Sequence, residues 1–259
     1  MNEGPRPPHD PQARRGPLDG AVSAVNGESA VSEQFRGQVT LDGPSGTGKS
    51  SVARAVATRL GAAYLDTGAM YRAATVAVLD AGADLGDAEA VERAVARADI
   101  RIGTAADAEQ VTVDGVDVAA RIRGTEVTRT VSPVSAVPAV RRLLVDRQRR
   151  LVAEAAAVVV EGRDIGTVVL PDATCKVYLT AAPEARAQRR AGQLGVTDPA
   201  RIAEIAADLR RRDEHDSSRA DSPLRPAADA VVVDSTGLDQ QAVVERVLDL
   251  ARAAAGDLA

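Results

Sequence analysis

The residues best suited to chemistry are Gly43-Pro44-Ser45-Gly46-Thr47-Gly48-Lys49-Ser50. The spacing G-x-x-x-x-G-K-[ST] puts glycines where the backbone must turn tightly and aim several N–H groups at one anion, followed by a lysine that tracks the outer phosphates of a nucleotide. Only Lys49 and Lys176 are lysines among 32 Lys+Arg. A chain that writes arginine almost everywhere keeps here a slender ammonium, which reaches between phosphates where a flat guanidinium is too wide. Residues 43–51, closing with Ser51, therefore read as a nucleoside triphosphate cradle, and the Ser50 hydroxyl is the position for Mg²⁺. A glycine-rich surface turn is the bland alternative. It lacks the apolar strand before (Val39-Thr40-Leu41) and the helix after (51–60), whose dipole adds to the attraction for phosphate.

A phosphate loop says little about the second substrate, and that information must come from the remaining polar clusters. Arginines recur in separate segments: Arg72; Arg163 beside Asp164; Arg186, Arg189 and Arg190; and Arg212-Asp213-Glu214-His215-Asp216-Ser217-Ser218-Arg219. On helices such residues usually make a solvated face. Arg163 and Asp164 stand apart because they follow an apolar run, 157–161, of the kind buried on both faces of a parallel sheet, and open α/β sheets bind ligands at the carboxyl ends of their strands. Phosphoryl transfer requires many fixed positive charges and little covalent work by the protein. No base dyad is evident near the loop, and neither His9 nor His215 is needed as one. An acceptor that is itself a phosphate is already anionic, so alignment is the task.

The elements that must position these groups alternate strand and helix. Strands are expected over 38–42, 63–65, 157–161, 175–180 and 230–234; helices over 51–60, 69–81, 87–98, 127–131, 138–156, 183–193, 199–212 and 238–254. Between them the period becomes alternating: 100–102, 110–113 and 116–118 read as short strands, the last two joined by the hairpin signal Asp114-Gly115. The fold class is α/β, with an antiparallel patch inserted into a strand–helix alternation. Residues 1–37, with Pro5, Pro7, Pro8, Pro11 and Pro17 and no sustained period, read as a disordered tail.

Bulk composition narrows the function classes. At 259 residues and 45% hydrophobic content the chain can bury a sizeable core, built from aliphatic residues because aromatics make up 2%. A net charge of −5 argues against a general nucleic-acid surface. The one cysteine, Cys175, excludes an internal disulfide and reads as a small buried hydrophobe. No run approaches the roughly 20 apolar residues of a membrane span, so the expectation is a soluble, cytoplasmic protein without membrane or nucleic-acid partners.

From about Gln38 onward the chain resembles bacterial cytidylate kinase, a nucleoside monophosphate kinase family. The resemblance rests on motifs in order: 41–50; Asp66-Thr67-Gly68-Ala69-Met70-Tyr71-Arg72; Val131-Ser132-Pro133-Val134-Ser135-Ala136-Val137-Pro138 to Arg141; Glu161-Gly162-Arg163-Asp164-Ile165-Gly166-Thr167-Val168-Val169; and Arg212-Asp213 through Asp216 and Arg219 to Pro223-Leu224. It implies transfer of the γ-phosphoryl group of ATP to CMP or dCMP, with Mg²⁺, by a monomer. It further implies a P-loop parallel sheet flanked by helices (core 38–66, 157–182 and 224–259), a monophosphate-binding α+β part with insert (67–156), and a helical lid with adjoining segment (183–223). Carried over residue by residue, Lys49, Arg163, Arg186, Arg190 and Arg212 would be catalytic. Thr67, Tyr71 and Arg72 would line the monophosphate side, with Arg72 and Arg163 on its phosphate. Ser132, Arg141 and Asp164 would read cytosine, and Arg212, Asp216 and Arg219 would hold the sugar and phosphate end. Donor and acceptor logic agrees: a carboxylate suits the exocyclic amine of cytosine, and an ionised Asp164 repels the oxygen that uracil carries there. Two competing readings are a broader pyrimidine or small-molecule kinase, and a nucleotide-dependent switch or RNA-binding regulator without transfer activity.

Overall fold

The computed structural model describes Met1, Gly4 and residues 35–219 and 221–256. Most of the expected disordered tail lies outside the described residues. Phe35 already packs, half-buried, against the main core, and the first strand opens at Gly37.

Five parallel strands form the central sheet: β1 (Gly37–Asp42), β2 (Ala63–Asp66), β6 (Ala157–Glu161), β7 (Cys175–Thr180) and β8 (Val231–Asp234), in the order β2-β6-β1-β7-β8. The chain leaves β1 toward one side and returns on the other, so the order reverses at β1, where such sheets open a crevice. Register fixes what meets there. Thr40 lies beside Val160 on one side and Lys176 on the other, and Leu41 lies beside Glu161. Side chains alternate between faces. Val39, Leu41, Val159, Val177 and Leu179 therefore pack against α1 (Lys49–Leu60) and α8 (Gln240–Gly256). Val158 and Val160 face Val145, Val152, Ile165 and Val169 on the opposite side. Cys175 is buried in the first of these layers, as its apolar strand demands.

Helix α1 shows why a short sequence suffices to set an element. Val52, Ala53, Val56, Ala57 and Leu60 make one buried stripe, and Gly61, at φ 62, closes the last turn by donating its N–H to the Ala57 and Thr58 carbonyls. After β2, helix α2 (Thr67–Asp80) starts at Asp66, whose carboxylate accepts the Ala69 N–H at 2.9 Å. Helix α3 (Ala88–Arg97) is capped in the same way by Asp87. Strands β3 (Ile100–Ile102), β4 (Val111–Val113) and β5 (Val116–Asp117) form the small antiparallel sheet, turned by Asp114 and Gly115, both at positive φ. A 3₁₀ turn, Arg121–Arg123, leads into α4 (Thr125–Ala136) and α5 (Pro138–Ala153). These pieces share a second core with α2. Helices α6 (Pro183–Gln193) and α7 (Pro199–Ser217) make a helical hairpin.

Several boundaries differ from the sequence reading. Helix α4 continues through Pro133 to Ala136, although the proline removes the N–H that would bond one turn back, and α7 runs to Ser217. After β6 the chain passes through Arg163 and Asp164 into a π turn, Ile165–Val169, in which Leu170 donates to the Ile165 carbonyl at 2.7 Å.

Candidate active site

The phosphate loop is held open by its glycines. Gly43 has φ 141, and a Cβ there would stand 2.0 Å from the Leu179 carbonyl oxygen on the neighbouring strand. A Cβ on Gly46 would lie 3.1 Å from Arg186 Cβ, which shows how closely α6 covers the loop. Lys49 folds back and donates to the Pro44 carbonyl at 2.7 Å. Burial and the neighbouring Arg163 guanidinium pull the Lys49 ammonium well below its ordinary value, against the pull of Glu161, Asp42 and Asp213.

Two carboxylates, Glu161 and Asp42, bracket this lysine. Glu161 ends β6, fully buried; it accepts from the Tyr64 hydroxyl at 2.5 Å and from Ser50 Oγ at 3.0 Å. Burial, with Asp66 nearby, pushes its carboxyl up. Asp42 ends β1 and accepts the N–H groups of Ile165 (2.8 Å) and Gly166 (2.7 Å). Burial raises its pKa to about 6 despite those two bonds, with Asp164 adding repulsion. Both carboxylates are committed to hydrogen bonds, and Asp42 fixes the turn that carries Arg163 and Asp164 directly to the strand that carries the loop.

Arg163 bridges the two halves. One Nη donates to the Gly43 carbonyl at 2.5 Å, the other to the Ser45 hydroxyl, and Nε meets Asp216 Oδ2 at 3.1 Å. Asp216 also accepts from Arg219 at 2.5 Å, and Arg219 reaches Ser135 Oγ at 3.0 Å. Beside them Arg141 donates to Asp164 Oδ2 at 2.5 Å, each side chain only 7% exposed, with its guanidinium 5.4 Å above the centre of the Tyr71 ring. Thr67, buried, donates its hydroxyl to the Glu161 carbonyl at 2.7 Å and pins the start of α2 to the end of β6. Ser132 is half-buried one turn before Ser135, which donates to its carbonyl at 3.1 Å.

Helices α6 and α7 close the ring. Arg186, buried, donates to the Ser45 carbonyl at 3.2 Å and pairs with Asp213, whose carboxylate also faces the Ser45 N–H at 3.4 Å. Arg72 donates to the Ile122 carbonyl and Thr128 Oγ1, both at 3.3 Å. Burial lowers its pKa, and Arg190, Arg123 and Arg163 add their repulsion. Arg212 is pushed down to about 10 by burial and then by Arg163 and Arg72. Guanidinium groups from α2, the β6 end, α6 and α7 thus face one another without enough acid between them. That is the charge pattern of a cleft built for several anionic groups. Arg189 turns away and ties α6 to Ser235 and Leu238.

Lys49, Thr67, Arg141, Arg163, Asp164, Arg186, Asp216 and Arg219 are therefore linked by hydrogen bonds and ion pairs near the carboxyl ends of β1, β2 and β6, whereas Arg190 bonds Gln193 on its own helix and Ser51 is exposed on α1. Sequence reasoning missed Asp42, Tyr64, Glu161 and Asp213 as contributors. A signal existed for two of them, since Asp42 and Glu161 are acids that terminate otherwise apolar strands.

Comparison with known proteins matches residues 39–253 to the cytidylate kinase family. A cytidylate kinase of Rhodococcus opacus (strain B4) is 59% identical over 211 residues, 81% of this chain and 92% of that protein. One from Nocardia farcinica (strain IFM 10152) is 57% identical over 81% of this chain and 90% of its own length. A Streptomyces avermitilis cytidylate kinase is 52% identical over 82% and 91%.

Proposed function

The chain belongs to the cytidylate kinase family, and we propose that the residues around its crevice divide between an ATP end and a pyrimidine end. The reaction is transfer of the γ-phosphoryl group of ATP to CMP or dCMP, giving ADP and CDP or dCDP. Residues 43–51 cradle the donor phosphates through backbone N–H groups, and Lys49 leaves the Pro44 carbonyl to follow the β- and γ-phosphates. Arg141 and Asp164 meet the cytosine edge with Ser132, while Thr67, Tyr71 and Arg72 line the acceptor. Arg163 and Arg72 grasp its phosphate, and Arg212, Asp216 and Arg219 secure the sugar end.

The observation that carries this reading is Arg163. One side chain touches the donor loop at Gly43 and Ser45 and, on the acceptor side, Asp216, whose carboxylate also accepts from Arg219. A group so placed feels charge on both nucleotides at once. The acceptor oxygen attacks γ-phosphorus, the bond to the bridging oxygen of ADP breaks, and no proton need be removed from an acceptor that is already an anion. Arg163, Arg186, Arg190 and Arg212 neutralise the equatorial oxygens, and closure of the α6–α7 hairpin excludes water that would otherwise hydrolyse ATP.

Mg²⁺ suits the donor end. Ser50 Oγ and Glu161 Oε2 sit 3.0 Å apart beside Lys49, a hydroxyl and a carboxylate of the kind that hold this ion when phosphates and water supply its other ligands. Held by Ser50 and Glu161, it would offset the negative charge of the donor phosphates. We further propose a cytoplasmic monomer acting on small nucleotides, without nucleic-acid or membrane partners; no helix among the described residues is long and apolar enough to cross a membrane. A coupled assay of ADP release with CMP, dCMP, UMP and AMP tests the acceptor assignment. Turnover confined to the cytidine nucleotides supports it, and comparable turnover of UMP and CMP overturns it.

A further inference from the structure

Beneath the crevice lies a side chain that the reaction as described does not use. Gln148 sits in α5 two turns after Arg141, on the same buried stripe as Leu144, Val145 and Val152. It is 1% exposed, yet neither its amide nitrogen nor its amide oxygen has a protein hydrogen-bond partner. The Tyr71 hydroxyl is likewise buried and unpartnered. Helical side chains lean toward the helix N-terminus, so Gln148 extends back along α5 toward Arg141 and the Tyr71 ring beneath it. Burial raises the Tyr71 phenol to about 12, opposed first by the Arg141 guanidinium and to a smaller degree by the nearby Gln148 amide, which lies outside hydrogen-bond geometry.

A neutral amide left unpaired in a core is destabilising, and an aliphatic side chain of the same shape costs nothing comparable. For folding alone, leucine serves this position better. The amide therefore needs a reason outside stability, and its surroundings supply one. Tyr71 supports the Arg141 guanidinium, which in turn holds the Asp164 carboxylate.

We propose that Gln148 is a positioning residue for the acceptor base: it engages the Tyr71 hydroxyl when the acceptor binds and holds the Tyr71–Arg141–Asp164 stack in the one orientation that fits cytosine. This inference rests on the assignment of Arg141 and Asp164 to the base. Gln148 itself touches neither nucleotide. Its effect belongs in acceptor affinity, leaving ATP binding and the maximal rate alone.

The test is Gln148→Leu, with Gln148→Met as a second variant should leucine leave a gap, each measured in the full chain. The expected result is KM for CMP raised about three- to tenfold, the worth of one neutral hydrogen bond. KM for ATP and kcat should stay within about twofold and the melting temperature should hold or rise. In the Tyr71→Phe background the same change at position 148 should add no further loss, because its lever is gone. An unchanged KM for CMP in both single variants, or losses that multiply in the double variant, overturns the proposal. Asp164→Asn run alongside separates the two claims. If Asp164→Asn weakens CMP and the Gln148 variants do not, the base assignment stands and this inference fails. If Asp164→Asn leaves CMP untouched, both fall.

Discussion

The sharpest consequence of the crevice concerns Asp164→Asn. In the protein the Asp164 carboxylate takes a hydrogen bond from Arg141 at 2.5 Å with both groups almost wholly buried. Removing one partner of a buried ion pair outright costs about 3–5 kcal/mol. Asparagine keeps a carbonyl oxygen for the guanidinium, so the loss should be smaller, about 2–3 kcal/mol, since charge-assisted bonds are roughly twice as strong as neutral ones. Expressed in the transition state for CMP, that is a fall of about thirty- to 150-fold in kcat/KM. The second consequence is more specific. An asparagine N–H can donate to the oxygen of uracil that a carboxylate repels, so UMP should hold or gain while CMP falls, and the preference for CMP over UMP should shrink by at least the same factor. Coupled ADP-release kinetics with both acceptors, at saturating ATP, measures this; KM for ATP should move less than about twofold, because Asp164 does not touch the donor loop. Equal losses with CMP and UMP at an unchanged melting temperature would refute the reasoning.

Lys49→Met should lower kcat by about a hundred- to a thousandfold while CMP still binds by calorimetry, since the ammonium acts on the donor phosphates; retained turnover would remove Lys49 from the mechanism. Gly43→Ala forces a Cβ to within 2.0 Å of the Leu179 carbonyl at φ 141, and should lower the melting temperature by about 5–10 °C in calorimetry; an unchanged melting temperature would contradict the packing described. Asp42 is raised from 3.8 to about 6 by burial, so the folded state holds its proton more tightly than the unfolded chain. Stability relative to Asp42→Asn should accordingly fall as pH climbs from about 4 to about 6, by an amount on the order of 3 kcal/mol, and stay level above that range; urea titrations across pH check it, and a parallel pair of curves would show that the carboxyl is not the cause.

Much of this architecture could be read from residue order alone, for identifiable reasons. Strands β6 and β7 match their expected bounds because both are short runs with no polar interruption except Glu161 and Lys176 at functional or paired positions. The hairpin at Asp114 and Gly115 follows from local turn chemistry. Helix α7 was harder. Its last turns are a mixture of arginines and acids without an apolar period, and what sustains them is tertiary: Asp213 pairs with Arg186, and Asp216 with Arg163 and Arg219. The same limit applies to the crevice. Motifs announced the arginines, but which acid meets which donor depends on the register that sets Leu41 beside Glu161 and on the turn that brings Ile165 and Gly166 under Asp42. Neither relation is local in the chain. Gln148 was silent for another reason, since a glutamine within an arginine-rich helix gives no hint that its face is the buried one.

The guanidinium resting on the Tyr71 ring has a practical corollary. The chain contains no tryptophan and three tyrosines, Tyr64, Tyr71 and Tyr178, so phenol rings dominate its ultraviolet emission over the weak contribution of Phe35. One of them lies under the pair assigned to the incoming pyrimidine, and another gives its hydroxyl to Glu161 at the opposite end of the crevice. Occupancy of either end should therefore alter an intrinsic optical signal, and Tyr71→Phe and Tyr64→Phe would tell the two contributions apart without any attached dye.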